Sequence, residues 1–306
     1  MRLIFAGTPD PAVPSLRVLA ASDHDIVAVV TRPDAPLGRK RVLTPSPVAA
    51  AAEELGLTTL KTARLDDAAT AELSALDADL GVIVAYGGLV REPLLSTPAQ
   101  GWINLHFSLL PRWRGAAPVQ HALIAGDPET GASVFRLVAE LDAGDVYEER
   151  RYLVPPRATA GDVLHDLAGL GAELLRDVVA GIERGTAVAT PQEGAATFAP
   201  KLTEADGAVV WDQPADRVVG RIRGVTPEPG AHTTVAGTRL KLLDAEIPDG
   251  AVLLKPGEIA GRGRDILIGT ATESIAVSRV QPAGKPAMSS GDWWRGVRNG
   301  EARAGT

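Results

Sequence analysis

Residues 2–7, RLIFAG, are a short, mostly apolar run that ends at the turn Gly7-Thr8-Pro9. Glycine permits the turn and proline stops the strand, so this stretch predicts a buried β-strand that leads into a helix. The same strand pattern returns at 25–31 (DIVAVVT), 79–85 (DLGVIVA) and 101–107 (GWINLHF), with helical or looped material between. Apolar strands that alternate with helices predict an α/β domain with a parallel-rich sheet covered on both faces.

The second part of the chain follows a different pattern. A long helix is predicted over residues 159–181, where apolar residues recur at helical spacing. Periodicity then fails between 185 and 203, and short strand-like pieces follow at 233–235, 238–243, 257–260, 265–269 and 274–280. We therefore predict an N-terminal domain over 1–188, a linker over 189–204 and a small C-terminal β-barrel domain over 205–306.

The composition excludes several classes of protein. The chain has 306 residues, 45% of them hydrophobic, and no cysteine, which removes disulfides, thiolate zinc sites and a cysteine nucleophile. Its longest uncharged run, 93–111, contains three prolines, so no membrane-spanning segment is expected. No signal-peptide pattern follows Met1, and the cytoplasm is the expected compartment.

The charge is unevenly distributed along the chain. The net charge is −7, which gives no overall reason to expect a polyanionic partner. Residues 190–306, however, carry 14 basic and 14 acidic side chains, so the second part is relatively basic. A local surface for nucleic acid is therefore possible there.

The turn after the first strand does not match a nucleotide-binding loop. The residues Gly7-Thr8-Pro9-Asp10 lack the G-x-G-x-x-G pattern, and Pro9 has no backbone N–H to offer a phosphate. Patterns typical of P-loops, zinc proteases and serine hydrolases do not occur either. Phosphoryl transfer, hydride transfer and serine hydrolysis are accordingly disfavoured.

The polar residues Asn104 and His106 stand at the end of the apolar strand 101–107. Two residues apart on a strand, they leave the same face, where an amide and an imidazole can both point at one developing oxyanion. Ligands bind beyond the carboxyl ends of parallel strands, which favours a site here. The alternative is that Asn104 satisfies a loop and His106 is an ordinary buried histidine.

A second polar cluster, Leu141-Asp142-Ala143-Gly144-Asp145, lies between two further strand-like runs. A carboxylate placed against His106 would fix its tautomer and raise its pKa, favouring the protonated form. The alternative is that both aspartates only shape a turn.

Several motifs together resemble one family. The chain resembles the methionyl-tRNA formyltransferase family of 10-formyltetrahydrofolate-dependent enzymes, over essentially its whole length. The resemblance rests on G-T-P-D at 7–10, P-S-P-V at 45–48, A-Y-G at 85–87, I-N-L-H at 103–106, S-L-L-P-R-W-R-G-A-A-P at 108–118, L-D-A-G-D at 141–145, V-x-x-x-I-R-G at 218–224, T-P-E-P-G-A at 226–231 and Q-P-A-G-K-P-A-M at 281–288.

The resemblance implies a Rossmann-like formyltransferase domain followed by an OB-like barrel that binds tRNA. It implies that Asn104, His106 and Asp142 carry formyl transfer from 10-formyltetrahydrofolate to the α-amino group of initiator methionyl-tRNA, with no metal. The implied folate-binding residues are Ser108, Leu109, Leu110, Pro111, Ala85, Tyr86 and Gly87. We also expect a monomer, by analogy with the family.

The basic loop 32–41 is the first candidate surface for tRNA. By the resemblance, Arg39, Lys40 and Arg41 meet the acceptor end of the tRNA, whereas the alternative is a solvated surface loop. Arg221 and Arg223 are candidates for phosphate contacts in the C-terminal domain.

The residues leave three further points open. The same cofactor serves other acceptors (an amino sugar, glycinamide ribonucleotide or water), and an RNA-binding protein without catalysis is a second alternative. Pro11 and Glu228 stand where family members often have an aromatic residue and a tryptophan. Trp293-Trp294 is either a stacking platform for bases or, as we favour, a pair of which one member packs a short terminal helix on the barrel.

Overall fold

The computed structural model describes residues 1–38, 40–250, 252–297 and 302–306, which form two compact units. The first comprises Met1–Pro118, Thr130–Tyr152 and Leu164–Phe198, and the second comprises Val119–Glu129, Leu153–Val163 and Ala199–Thr306. The chain makes its last passage between the units at Phe198–Ala199, inside the segment 189–204. Because two short segments of the first 188 residues belong to the second unit, the domain boundaries given above stay a prediction.

The strands of the N-terminal part agree closely with the apolar runs of the sequence. They are β1 Arg2–Gly7, β2 Asp25–Thr31, β3 Ala35–Leu37, β4 Val42–Thr44, β5 Thr59–Lys61, β6 Leu80–Val84, β7 Trp102–His106, β8 Glu129–Arg136 and β9 Val146–Leu153. The helices here are α1 Val13–Ala20, α2 Pro47–Glu54, α3 Asp67–Ser74, α4 Pro118–Ala125 and α5 Ala160–Glu183. The structure adds a small antiparallel hairpin, β3–β4, in the region that the sequence presented only as a loop.

Seven of these strands form one sheet in the order β5-β2-β1-β6-β7-β8-β9. The pairs from β5 to β7 are parallel, and β8 pairs antiparallel with β7. The predicted α/β fold with a parallel-rich sheet is therefore confirmed. Because the chain moves from β1 to one side of the sheet and then returns to β6 on the other, a crevice is expected beyond the carboxyl ends of β1 and β6.

Local signals place α2 beneath this edge. Ser46 caps the helix, since its Oγ accepts a hydrogen bond from the Ala49 amide at 3.0 Å, and Pro47 occupies the first turn. Gly56 follows the end of the helix with a φ of +68°, a left-handed conformation that glycine adopts more easily than other residues. The Ser46 hydroxyl also bonds the buried Thr31 hydroxyl at 2.7 Å, which ties the cap to the end of β2.

The second unit consists mainly of antiparallel strands. Its further elements are α6 Ala215–Gly224, β10 His232–Val235, β11 Thr238–Leu242, β12 Ile259–Arg262, β13 Asp265–Ile268, β14 Ile275–Val277, β15 Arg279–Pro282, β16 Met288–Ser289 and α7 Ser290–Arg295. The strands form two sheets, β10-β11-β15-β16 and β12-β13-β14, as predicted for a small barrel-like domain. Their apolar faces enclose a shared core that includes Ile222, Leu240 and Ile266.

The structure differs from the sequence prediction at two places in this unit. The single strand expected at 274–280 is divided at Ser278, because its amide and hydroxyl both bond the carboxylate of Asp244. The helix α6 was not predicted. Its Gly224 packs tightly on α4, where a Cβ would lie 2.6 Å from Cγ1 of Ile124, which explains the glycine that ends the 218–224 motif.

The tryptophan pair packs as we favoured. Trp293 and Trp294 lie on the short helix α7, are partly buried and pack against the core of the second unit. Their rings stand 5.9 Å apart at a tilt of 44°. Packing of this helix therefore accounts for the pair.

Candidate active site

The end of β7 carries two of the candidate catalytic residues. Asn104 and His106 are alternate residues of this strand and therefore share one face. On its parallel side, β7 pairs with β6, with Asn104 opposite Ile83. The residues that follow β1, β6 and β7 thus meet at one edge of the sheet, where the expected crevice opens.

The imidazole of His106 is buried and bonded to a backbone carbonyl. Its Nε2 lies 2.8 Å from the carbonyl oxygen of Trp113, and its ring meets Phe135 edge-on, with centroids 6.4 Å apart. A carbonyl oxygen only accepts, so the proton is on Nε2. In the neutral ring, Nδ1 then carries a free lone pair, which makes it the basic atom of the residue.

Asp142 faces that basic atom. Its Oδ2 lies 3.9 Å from Nδ1 of His106 and accepts a hydrogen bond of 2.7 Å from the Gly115 amide. The residue is 9% exposed and has a φ of +46°, in the left-handed region that aspartate tolerates better than most residues with a Cβ. The 141–145 turn is therefore held so that a carboxylate faces the histidine.

Burial decides the charge of this histidine. It lowers the pKa of His106 below the 6.5 of a free side chain, although the Asp142 carboxylate and the Trp113 carbonyl both act to raise it. The carboxylate thus acts in the expected direction, but the expected protonated form is wrong, because the cost of burying an imidazolium outweighs the attraction. At neutral pH the ring is an uncharged base rather than a protonated donor.

The side-chain oxygen of Asn104, on the same face of β7 as His106, has no hydrogen-bond partner among the described residues. The side chain is partly buried, and its Oδ1 is shielded from solvent. Buried polar atoms are almost always bonded, and one that is not costs about 1–3 kcal/mol. Because this side chain also stands at the carboxyl end of β7, where ligands of parallel sheets bind, it is a candidate for hydrogen bonding to a ligand.

The segment Ser108–Pro111 is fixed by hydroxyl groups. The Ser108 hydroxyl donates to the Arg112 carbonyl at 2.6 Å. The Ser133 hydroxyl accepts from the Leu110 amide at 3.2 Å and lies 2.6 Å from the Ser108 carbonyl oxygen. Leu110 and Pro111 are buried and Leu109 is partly exposed. The backbone of this loop is therefore rigid before any ligand binds.

The turn Ala85–Gly87 follows β6 at the same edge. Ala85 and Gly87 both have positive φ, +47° and +79°, and the Tyr86 carbonyl accepts from the Thr8 hydroxyl at 3.3 Å. The Tyr86 ring packs in the core near Leu94 and Trp102, and burial raises the pKa of its phenol. Only the backbone of this residue is available at the edge.

The basic residues named for tRNA fall into two groups. Lys40 and Arg41 are exposed and lie between β3 and β4, beside the exposed apolar side chains of Leu37, Val42 and Leu43. Arg39 lies outside the described residues. The hairpin presents both charge and apolar surface to solvent.

The two arginines of α6 differ from each other. The Arg221 guanidinium donates to the Asp206 carbonyl at 3.5 Å, and the residue lines a cavity of about 450 Å³ in the second unit. The Arg223 guanidinium donates to the carbonyls of Ala158 and Pro155 at 2.8 and 3.0 Å, and burial lowers its pKa. The hydrogen bonds of Arg223 are those of a structural residue, so its part in tRNA binding remains only a prediction.

Sequence reasoning missed several residues that hold the site. Ser133 supports the folate-binding candidates, and the backbone groups of Trp113 and Gly115 hold His106 and Asp142. Gln192 bonds the 141–145 turn from a stretch that showed no periodicity. The only sequence signal for Gln192 was a polar residue among small ones, which does not identify its partner.

The described residues form neither a membrane-spanning helix nor a cluster of metal ligands. In the described part of the chain, no helix is long and apolar enough to cross a membrane. Within the same residues, no group of three or more His, Asp or Glu side chains is placed to hold a metal ion.

Known protein families and sequences match this chain over nearly all of its length. The formyl transferase family model matches residues 1–179, and the model of the formyl transferase C-terminal domain matches residues 201–298. Methionyl-tRNA formyltransferase of Clavibacter sepedonicus is 61% identical over 297 residues, 97% of each chain. The enzyme of Leifsonia xyli subsp. xyli is 59% identical over 302 residues, 99% of each chain.

Solved structures agree in fold. A sugar 3N-formyl transferase, WlaRD, crystallised in the presence of dTDP and 5-N-formyl-THF, aligns with a TM-score of 0.70 at 13% identity, covering 94% of this chain and 99% of its own. Methionyl-tRNA formyltransferase from Clostridium thermocellum aligns with a TM-score of 0.57 at 15% identity, covering 83% and 97%. With both domain models matched and full-length relatives near 60% identity, this chain belongs to the methionyl-tRNA formyltransferase family.

Proposed function

We propose that this enzyme transfers the formyl group of 10-formyltetrahydrofolate to the α-amino group of initiator methionyl-tRNA. The observation that carries the proposal is the side chain of Asn104, which shares a face of β7 with the neutral, buried His106 that the Asp142 carboxylate faces. Its buried Oδ1 has no partner among the described residues, and its Nδ2 is the atom that can donate to an oxyanion. The high-identity relatives of this chain carry the name of this activity. The proposed setting is the cytoplasm, and the proposed state is a monomer.

The proposed chemistry assigns one task to each of the three side chains. As the amine nitrogen bonds to the formyl carbon, negative charge develops on the formyl oxygen, and the Asn104 amide stabilises it. His106 accepts at Nδ1 the proton released by the amine, and the Asp142 carboxylate stabilises the imidazolium that forms. The bond from the formyl carbon to N10 then breaks, and the proton passes to N10 directly or through water.

This assignment differs from the one that the sequence suggested. The Nε2–H of His106 is already bonded to the Trp113 carbonyl, so the ring does not offer that proton to an oxyanion without breaking a 2.8 Å hydrogen bond. The basic Nδ1 instead faces a carboxylate. His106 is therefore proposed as the base, and Asn104 as the donor to the oxyanion.

Folate is proposed to bind along the rigid edge of the sheet. The candidate residues Ser108–Pro111 follow β7, and Ala85–Gly87 follow β6, so both stretches border the crevice. Their hydrogen bonds are satisfied internally by Ser133, Arg112 and Thr8, which leaves the backbone preorganised for a planar ligand.

Methionyl-tRNA is proposed to contact the hairpin region 35–44 and α6. Lys40 and Arg41 are exposed there, and Arg221 is partly exposed at the cavity beside α6. Arg39 is included on the sequence resemblance alone. Such side chains neutralise phosphates, and the exposed leucines of the hairpin suit contact with splayed bases of a single-stranded end.

The test is a competition assay with 10-formyltetrahydrofolate as the formyl donor. Methionyl initiator tRNA, methionyl elongator tRNA, a nucleotide-linked amino sugar, glycinamide ribonucleotide and water are offered as acceptors. We expect strong preference for the initiator tRNA. Formyl transfer to another acceptor, or release of formate without tRNA preference, would overturn the proposal and favour one of the other formyltransferase activities.

A further inference from the structure

The side chain of Gln192 uses all of its polar atoms on two loops of the active site. Its Nε2 donates to the carbonyls of Asp142 and Gly144 at 2.8 and 2.9 Å. Its Oε1 accepts from the Arg114 guanidinium twice, from Nη2 at 2.6 Å and from Nε at 3.1 Å. Gln192 itself lies outside any helix or strand, in the segment 184–203.

The loops that Gln192 joins are the ones that hold the catalytic pair. On one side it binds the backbone of Asp142 itself. On the other it fixes Arg114, whose neighbours in the chain are Trp113, the partner of His106, and Gly115, whose amide donates to the Asp142 carboxylate. One amide group therefore ties together the supports of both His106 and Asp142.

The backbone conformation of Asp142 is held by these hydrogen bonds. A φ of +46° costs a residue with a Cβ up to about 1–2 kcal/mol, although aspartate tolerates this region better than most, so we expect the turn to relax when its restraints are removed. The Nε2 of Gln192 donates hydrogen bonds to the carbonyls on both sides of Ala143. Without these two bonds, the Asp142 carboxylate is held near His106 mainly by its hydrogen bond from the Gly115 amide.

The backbone around Gln192 is held independently of its side chain. Thr190 and Val146 exchange two backbone hydrogen bonds of 2.8 and 2.9 Å, and Thr197 binds the amide of Trp113 through its hydroxyl at 2.9 Å. Replacing the Gln192 side chain thus removes the bridge between the loops without detaching the segment.

We propose that Gln192 is a positioning residue for formyl transfer, which holds Asp142 against His106 and acts only through that pair. The inference rests on the proposed function. In Gln192→Leu the bridge is absent, and in the isosteric Gln192→Glu the Arg114 interaction remains while a carboxylate oxygen replaces the Nε2 donor in front of two carbonyls. Both variants should free the 141–145 turn.

The kinetic test is a double-mutant cycle. Gln192→Leu should lower kcat about 10²-fold, the scale on which small misplacements of catalytic groups act, and leave the KM for folate within about twofold. If Gln192 acts through Asp142, Gln192→Leu combined with Asp142→Asn should be no slower than Asp142→Asn alone. Rate reductions that multiply, or a KM effect without a kcat effect, overturn the proposal.

A second readout needs no substrate. The amide proton of Gly115 reports its bond to the Asp142 carboxylate, and in Gln192→Leu and Gln192→Glu its exchange with water should become about tenfold faster or more. The control Gln100→Leu changes an exposed glutamine of the same unit and should leave both exchange and kcat unaltered. Unchanged Gly115 exchange in both variants overturns the inference about Gln192. A wild-type enzyme that does not formylate methionyl-tRNA overturns the proposed function instead.

Discussion

Asn104 should be an example of a residue that costs stability and supplies activity. Its buried Oδ1 has no partner among the described residues, and an apolar side chain of the same shape removes that unsatisfied acceptor. The variant Asn104→Leu should therefore be at least as stable as the parent protein, with a gain of up to about 1–3 kcal/mol in the free energy of unfolding.

The same change removes the proposed donor to the formyl oxygen. Removal of one such donor costs about 2.7–4 kcal/mol of transition-state stabilisation, which corresponds to a rate lower by about 10²–10³. The assay is single-turnover formyl transfer to methionyl-tRNA at saturating folate, with urea unfolding of the same preparations. Stability and rate should move in opposite directions.

A second buried and unpartnered polar atom supplies the control. The Ser15 Oγ in α1 also has no partner among the described residues, and it lies on no loop of the site. Ser15→Ala should be neutral to stabilising and leave the rate unchanged. A fall in the stability of Asn104→Leu by more than about 1 kcal/mol together with a normal rate would refute the reasoning, because it would make Asn104 an ordinary structural residue.

Three further outcomes are expected. Burial lowers the pKa of His106 in the folded protein, so below about pH 6.5 the unfolded chain binds a proton at this histidine more readily than the folded chain does. The contribution of the neutral histidine to the free energy of unfolding is therefore present above about pH 6.5 and is lost as pH falls, by up to about 1.4 kcal/mol per pH unit. Urea unfolding of His106→Gln should lack this dependence. Gly144→Ala should destabilise the protein by at least about 1–3 kcal/mol and reduce formyl transfer, because the new Cβ would lie 1.8 Å from the Arg136 carbonyl oxygen; thermal unfolding and the transfer assay measure both. Replacing Lys40 and Arg41 with alanine should lower the slope of log affinity for tRNA against log salt by about one for each phosphate that is no longer neutralised.

The glycine and loop predictions each have a matched control. Gly169→Ala, inside α5 with no heavy atom within 4 Å of the added Cβ, should stabilise by about 0.5–1 kcal/mol. Arg64→Ala removes an exposed charge elsewhere and should leave the salt slope unchanged. An acid dependence that survives in His106→Gln, a Gly144→Ala variant of parental stability, or an unaltered slope for the loop variant would contradict the respective prediction.

Much of the fold followed from local sequence. The apolar runs 2–7, 25–31 and 79–85 form buried strands. A strand that is covered on both faces needs apolar side chains on both, and a continuous apolar run supplies them. The bounds of α2 are set by local residues as well: Ser46 caps it, Pro47 occupies its first turn and Gly56 follows its last. The spacing of Asn104 and His106 also placed both on one face without any tertiary information.

The rest was decided by interactions between residues distant in the sequence. Residue order does not reveal that Gln192 lies 2.8 Å from the Asp142 carbonyl, because 50 residues separate the two and no periodic pattern links them. The division of the strand at Ser278 depends likewise on Asp244, 34 residues earlier.

The charge state of His106 depends both on the sequence and on the tertiary structure. The sequence determined which side chains stand at the end of β7, and it offered Asp142 as a candidate partner of His106, a role that the family resemblance also implied. It could not give the sign of the pKa shift, because that sign is a balance between the attraction of a carboxylate and the removal of solvent around the ring. How completely the ring is buried is a property of the packed tertiary structure, and it is what makes His106 a neutral base.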